Sequence, residues 1–223
     1  MADVSNMIRE AADKLQSIYL QSYSPMPEAI RGVALIGPLC SGKTTLANTV
    51  RESQLSKTGR AVVPKRYATF IPSPEEVDGN VLPYRMFSEK VVEGEIGLFW
   101  ERKIGDVIEV YGFEAPQNQN AFIIYDGNVA LYECRENETV KSGLEGILFV
   151  GVWASYNVRE ERFYRRFQDL DINPQEVNYR LGEPMPGVPV VFRNYEGYES
   201  LAPQQIVTFV ERLVQLNDLA TNN

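Results

Sequence analysis

Residues 32–51 constrain this chain more than any other stretch. Gly32-Val33-Ala34-Leu35-Ile36 is a short apolar run and reads as a buried strand. Gly37-Pro38-Leu39-Cys40-Ser41-Gly42-Lys43-Thr44 follows and meets every fixed position of a G-x-x-x-x-G-K-[ST] loop. Thr45-Leu46-Ala47-Asn48-Thr49-Val50-Arg51 then reads as the first turns of a helix. Strand, glycine loop and helix in that order form the opening unit of a parallel α/β sheet. The glycines let the backbone curl until successive N–H groups point inward at an anion. The helix N-terminus behind them adds a partial positive charge. Lys43 can reach the β- and γ-phosphates of a nucleotide, and the Thr44 hydroxyl can hold Mg²⁺. Residues 37–45, Thr45 included, are therefore expected to bind ATP with Mg²⁺.

The rest of the chain supplies the sheet this unit needs. Residues 3–22 are expected to form an amphipathic helix, with Met7, Ile8, Ala11, Leu15, Ile18 and Tyr19 at helical spacing, leading into a linker that ends near residue 28. Further strands are expected at Arg60–Val63, Ala121–Asp126, Gly146–Trp153 and Pro189–Phe192. A charged helix is expected over 157–168, a second from Pro174, and a last one over 203–216 with Ile206, Val207, Val210, Leu213 and Val214 on one face. Prolines and glycines break the pattern between 66 and 116, which predicts an inserted substrate-handling segment of short strands and a short helix. Strands alternating with helices predict one parallel sheet with helices on both faces, in a single P-loop domain over 1–223 with a lid over 156–182.

Composition narrows the chemistry. The net charge of −8 argues against a nucleic-acid backbone as partner. With no histidine at all, histidine general-base chemistry and histidine metal ligation are excluded. Any reaction must run on Lys, Arg, carboxylates, hydroxyls and bound metal. Cys40 and Cys134 form neither a metal pattern nor a disulfide framework, which suits a reducing compartment. No apolar run approaches bilayer-spanning length and no secretory leader pattern opens the chain, so a soluble cytoplasmic protein without membrane partners is expected.

Three constellations stand beyond the loop. Arg162 and Arg166 are four residues apart and share a helix face, with Arg159 one turn before them and Arg180 on the following helix. They read either as a solvated face laced by Glu160 and Glu161, or as lid arginines that neutralise a transferring phosphoryl group. Asp126 ends an apolar strand. It reads either as a carboxylate facing Mg²⁺ or the acceptor, or as the start of the turn Asp126-Gly127-Asn128. Arg66, Tyr67, Thr69, Tyr84 and Tyr111 are candidate acceptor contacts, with packing as the alternative for each tyrosine, and Phe99 and Trp100 are expected to pack.

Thr69 to Gly79 resembles the guanylate kinase stretch T-R-x-P-R-P-G-E-x-D-G. Glu93-Gly94-Glu95, Trp100 and Tyr111-Gly112 are similar to that family's G-E-F-L-E-W and Y-Y-G. Ser155, Arg162, Arg166 and Arg180-Leu181 are similar to its lid, and Asn194 with Gly197 to its late N-D-G. The resemblance runs from about residue 31 to 215 and implies an α/β P-loop fold of nucleotide-kinase type, in a kinase that binds ATP partly through Arg162 and Asn194. The family's two acceptor-clamping arginines fall on Phe70 and Ser73, and its guanine-reading Glu on or beside Phe99. Arg66-Tyr67-Ala68-Thr69 and Ile124 to Ala130 also resemble the ribose 1,5-bisphosphate phosphokinases. Both families usually carry Ser-Gly where this loop has Leu39-Cys40.

The expected activity is transfer of the ATP γ-phosphoryl to a small phosphorylated acceptor, a nucleoside monophosphate or a sugar phosphate. Lys43, Arg162, Arg166, Arg180 and Asp126 would carry catalysis, and Thr44 and Asp126 the metal. Arg66, Tyr67, Thr69, Tyr84, Tyr111, Asp126 and Arg180 would bind the acceptor. Two alternatives stay open: a small-molecule hydroxyl kinase with Asp126 as base, and an inactive guanylate-kinase-like interaction module. Monomer and homodimer are both compatible with the sequence.

Overall fold

The computed structural model describes residues 3–21, 27–69, 80–104, 107–118, 120–166, 187–194 and 200–221. The chain divides into two compact units. The first is Met1–Val63, Asn120–Val129 and Gly146–Asn223; the second is Pro64–Gln119 and Ala130–Glu145.

Numbered along the chain, the strands of the first unit are β1 (Ile18–Leu20), β2 (Gly32–Ile36), β3 (Ala61–Val62), β7 (Phe122–Asp126), β8 (Ile147–Trp153) and β9 (Val190–Arg193). They form one sheet in the order β1-β9-β8-β2-β7-β3. All pairs are parallel except β1 with β9. Every residue of β2 and β7 is buried, so both faces of the sheet are covered there, as their unbroken apolar sequences require. One face packs on α1 (Val4–Ala12), α2 (Lys43–Glu52) and α8 (Ala202–Thr221), through Ile8 and Ala11, Leu46 and Val50, and Ile206, Phe209 and Leu213. Phe209 meets Phe192 edge-on at 5.6 Å. The architecture is the expected mixed α/β fold with a mostly parallel sheet. β2 lies between β7 and β8, so the strand order reverses at the glycine loop, which is where such sheets open a ligand crevice.

The expected helix over 3–22 is wrong beyond Ala12. Asp13 caps α1, Lys14 adopts φ +61°, and Ile18-Tyr19-Leu20 pair with Phe192, Val191 and Val190 as an antiparallel edge strand. Arg212 of α8 donates to the carbonyls of Ala11 at 3.2 Å and Asp13 at 2.6 Å, the end of α1. The open edge of β9 supplies backbone partners that a longer helix could not use. Leu15 and Ile18 pack on the core all the same, so the helical spacing was real and misread. The last helix is longer than expected, reaching Thr221.

The second unit holds the antiparallel sheet β4-β6-β5, made of β4 (Arg66–Ala68), β5 (Ile96–Ile104) and β6 (Val107–Glu114). Helix α4 (Tyr84–Val92) lays Phe87 against one face, beside Tyr67, Leu82, Ile96 and Val110. The segment 130–145, to which the sequence reading assigned no element, also belongs here. It carries most of α5 (Val129–Glu133), then α6 (Glu138–Lys141), and Cys134 Sγ donates to the Glu101 carbonyl at 3.7 Å. Helix α3 (Gln54–Lys57) and helix α7 (Tyr156–Arg166) complete the described elements of the first unit.

Candidate functional site

The loop leaves β2 at Gly37, whose φ is +152° and where any Cβ would overlap the Val152 carbonyl of β8. Only glycine can pass so close to the neighbouring strand. Cys40 and Gly42 both have positive φ, +60° and +96°. A side chain at Cys40 is uncommon in that region and is tolerated only where surrounding contacts hold it. Gly42 is the N-cap of α2 and gives it no side-chain cap. No cap side chain at Gly42 therefore competes with an anion for the first-turn amides of α2. Lys43 Nζ folds back to donate to the Pro38 carbonyl at 2.9 Å and to Ser41 Oγ at 3.5 Å, so the ammonium lies inside the curl of the loop. Thr45 is exposed in the first turn of α2, and its carbonyl accepts from Thr49 at 2.9 Å.

β7 runs beside β2 with Asp126 opposite Leu35, and the Gly127 N–H donates to the Leu35 carbonyl at 3.0 Å. That register sets the Asp126 carboxylate against the helix that follows the loop. Thr44 Oγ1 donates to Asp126 Oδ2 at 2.8 Å, and Asp126 is 8% exposed. A hydroxyl and a carboxylate oxygen suit Mg²⁺, whose octahedral ligands at about 2.0–2.1 Å lie about 2.9 Å from one another. The oxygen donors present thus fit that ion. Among the described residues no group of three or more His, Cys, Asp or Glu could hold a metal without help. Mg²⁺ needs no such cage, because phosphate and water fill its remaining positions.

α7 brings the arginines to the loop. Arg162 Nη1 donates to the carbonyls of Cys40 at 3.3 Å and Ser41 at 3.5 Å. Arg159 is buried and donates Nε–H to the Ala154 carbonyl at 3.1 Å, so it anchors the start of α7. Arg165 points outward and pairs with Glu161 at 2.7 Å. Arg162 thus contacts the loop, whereas Arg165, off that face, contacts Glu161 one turn away. Burial raises the Cys40 thiol pKa above its usual range, against the lowering pull of Arg166, Lys43, Arg162 and Arg159. Four cations therefore act on one residue of the loop. Arg180 and the lid beyond Arg166 lie outside the described residues.

Asn194 is the residue whose placement the sequence did not convey. It follows β9, is 6% exposed, and donates Nδ2–H to the Ser41 carbonyl at 2.8 Å. It touches the loop backbone. A polar residue just after a buried strand, on the same sheet edge as the loop, was the available signal.

The acceptor candidates sit in the second unit. Tyr84 is 65% exposed at the start of α4, and Arg66 is half-buried on β4. Thr69 closes the β4 edge: its N–H donates to the Val110 carbonyl at 3.0 Å and its hydroxyl accepts from the Val110 N–H at 3.1 Å. Tyr67 and Tyr111 are corrections, because both are buried. Tyr67 faces Phe87 and Val110, with Lys65 Nζ 5.2 Å from its ring centre. Tyr111 stacks on Trp100 at 5.4 Å and donates to buried Glu109 at 2.8 Å. Cross-strand pairing of Trp100 with Tyr111 drives that burial, and burial pushes the phenol pKa far above its usual value. Trp100 packs as expected, and Phe99 lies against the opposite core. Phe70 and Ser73 lie outside the described residues.

No protein-family model matches this chain, and no curated protein matches it in sequence. It is similar in structure to a guanylate kinase from Anaplasma phagocytophilum at 14% identity, over 87% of this chain and 88% of that one, with a TM-score of 0.43. It is similar to APE1195 at 17% identity, over 86% and 98%, with a TM-score of 0.43. It is similar to a gluconokinase from Sinorhizobium meliloti 1021 at 14% identity, over 87% and 98%, with a TM-score of 0.39. At these values the likeness says nothing of activity or acceptor.

Proposed function

We propose that this chain is an ATP-dependent phosphotransferase acting on a small phosphorylated acceptor, a nucleoside monophosphate or a sugar phosphate such as ribose 1,5-bisphosphate. The observation that carries the reading is the convergence at the N-terminus of α2. Lys43, the Thr44–Asp126 pair and Arg162 all meet the loop there. Each is a group that phosphoryl transfer uses, and few other chemistries use them together.

Lys43 would exchange its Pro38 carbonyl for β- and γ-phosphate oxygens, and the first-turn amides of α2 would take the remaining charge. Thr44 and Asp126 would hold Mg²⁺, which would supply neutralisation of the phosphate charge. Arg162 and Arg166, with Arg180, would stabilise the transferring group. An acceptor phosphate is already anionic, so no strong base is needed. The engagement of Asp126 with Thr44 favours this form over a hydroxyl acceptor that would need Asp126 as its base. Arg66, Thr69 and Tyr84 are the proposed acceptor contacts of the second unit.

The test is a screen of purified protein with Mg-[γ-³²P]ATP against nucleoside monophosphates, sugar phosphates and small alcohols, with Lys43→Ala alongside. Transfer to a phosphorylated acceptor that disappears in Lys43→Ala supports the reading. Equal transfer by both proteins, or none to any acceptor, overturns it.

A further inference from the structure

The Ser41 carbonyl receives two side-chain donors from distant parts of the chain. Asn194 gives a short bond, 2.8 Å. Arg162 gives a long one, 3.5 Å, shared with the Cys40 carbonyl at 3.3 Å. Ser41 is fully buried, so its carbonyl has little recourse to water. Asn194 is itself fixed from behind, because its backbone N–H donates to the Trp153 carbonyl at 2.7 Å. In front, its amide nitrogen fills the space that a Cβ on Gly42 would need. The side chain is wedged between the end of β8 and the start of α2.

We propose that Asn194 is a positioning residue with two tasks: it fixes the peptide between Ser41 and Gly42 in its phosphate-receiving orientation, and it keeps the Ser41 carbonyl bonded so that Arg162 can leave the loop for the transferring phosphate. The proposal rests on the nucleotide reading above. The first task follows from peptide geometry. In a trans peptide the C=O and N–H point opposite ways. Pinning the Ser41 carbonyl to Asn194 therefore sets the direction of the Gly42 N–H, a donor that an anion-binding loop needs turned inward. The second task follows from donor strength. A guanidinium bonds a phosphate oxygen more strongly than a neutral carbonyl, so a bound triphosphate draws Arg162 away. Without Asn194 that departure would strand a buried carbonyl, and Arg162 would be held back by the cost.

The test measures binding of inorganic tripolyphosphate and of adenosine separately, by calorimetry on the full chain. The proteins are wild type, Asn194→Ala, Arg162→Ala, their double variant, Asn194→Asp and Lys43→Ala, with melting temperatures recorded for each. Asn194→Ala should weaken tripolyphosphate about tenfold, the loss of one well-made hydrogen bond, and leave adenosine unchanged. Arg162→Ala should weaken tripolyphosphate clearly less in the Asn194→Ala background than in wild type, because the arginine is already held on the carbonyl. Asn194→Asp keeps the shape, loses the donor and adds a negative charge, so it should bind tripolyphosphate more weakly still; it serves if the alanine variant does not fold. Loss of adenosine affinity with tripolyphosphate affinity intact would make Asn194 a base contact and overturn the proposal. So would unchanged tripolyphosphate binding in Asn194→Ala, or additive effects in the double variant. Wild-type protein that binds neither probe, indistinguishably from Lys43→Ala, would instead remove the nucleotide reading on which the proposal stands.

Discussion

Replacing Asp126 by asparagine changes one charge and almost no volume. The Thr44 hydroxyl can still donate to an amide oxygen where it now donates to the carboxylate at 2.8 Å. A bond to a charged acceptor, worth about 1.5–3 kcal/mol, becomes a neutral one worth about 0.5–1.5 kcal/mol, so Thr44 is held less firmly by roughly 1–1.5 kcal/mol. The site also loses a negative charge that would face Mg²⁺; unit charges 4 Å apart interact by about 4 kcal/mol in a partly screened environment. Phosphates of bound ATP hold the metal too and recover much of that in the ground state. The loss should appear mainly as charge redistributes in the transition state, as a transfer rate at least about tenfold lower, or about 1.4 kcal/mol. ATP affinity at saturating Mg²⁺ should change little. Single-turnover transfer measures the first quantity and calorimetric ATP titration the second. A pH series then separates metal support from base catalysis. Metal support predicts parallel pH profiles for both proteins; a base predicts an acid limb in wild type that the variant lacks. Wild-type rates in Asp126→Asn at both saturating and limiting Mg²⁺ would refute the reasoning and leave Asp126 a turn-forming residue.

Other expectations concern separate parts of the molecule. Because burial raises the Cys40 thiol pKa, iodoacetamide should label it slowly near pH 7.5 and faster as pH climbs past the ordinary thiol range, and Mg-ATP should protect it; rapid labelling at pH 7 that ATP leaves untouched would contradict the site geometry. Arg212→Ala removes both donors to the end of α1 and should cost about 1–2 kcal/mol, lowering Tm by about 2–8 °C in a chain of this size, so an unchanged melting curve would show that the cap contributes nothing. GMP should be a poor acceptor if the resemblance to guanylate kinases holds, because it sets Phe99 on or beside that family's guanine-reading Glu; coupled-assay turnover of GMP as fast as any other acceptor tested would show otherwise.

The β2–loop–α2 unit was legible because its constraints are local. Gly37 and Gly42 are fixed by backbone angles and close approach, and the apolar run before them by burial on both faces. Asp126 was legible as a strand end, and the four-residue spacing of Arg162 and Arg166 as a shared face. What escaped were facts about partners. Nothing within residues 13–20 says that β9 offers an open edge, and Leu15 and Ile18 would reach a core from a helix as well as from a strand. Tyr67 and Tyr111 are buried by cross-strand neighbours, Gly112 and Trp100 among them, which only the register reveals. The grip of Asn194 on Ser41 joins two positions far apart in sequence, and no local pattern encodes it.

The antiparallel strand β1 has a consequence for how the chain reaches this fold. It lies far ahead of its partner β9 in the chain, so β1 has no template until the whole stretch between them has been synthesised. Without β1 the outer edge of β9 would be a row of unpaired backbone groups beside Val190, Val191 and Phe192. The N-terminal segment thus guards that edge against edge-to-edge association. Its anchors to α8, Ser17 on Gln205 at 2.8 and 2.7 Å and the Arg212 cap, hold that guard in place. A truncated chain that starts just before β2 would keep the described groups of the phosphate site and still emerge with an open edge, prone to precipitate before any activity could be measured.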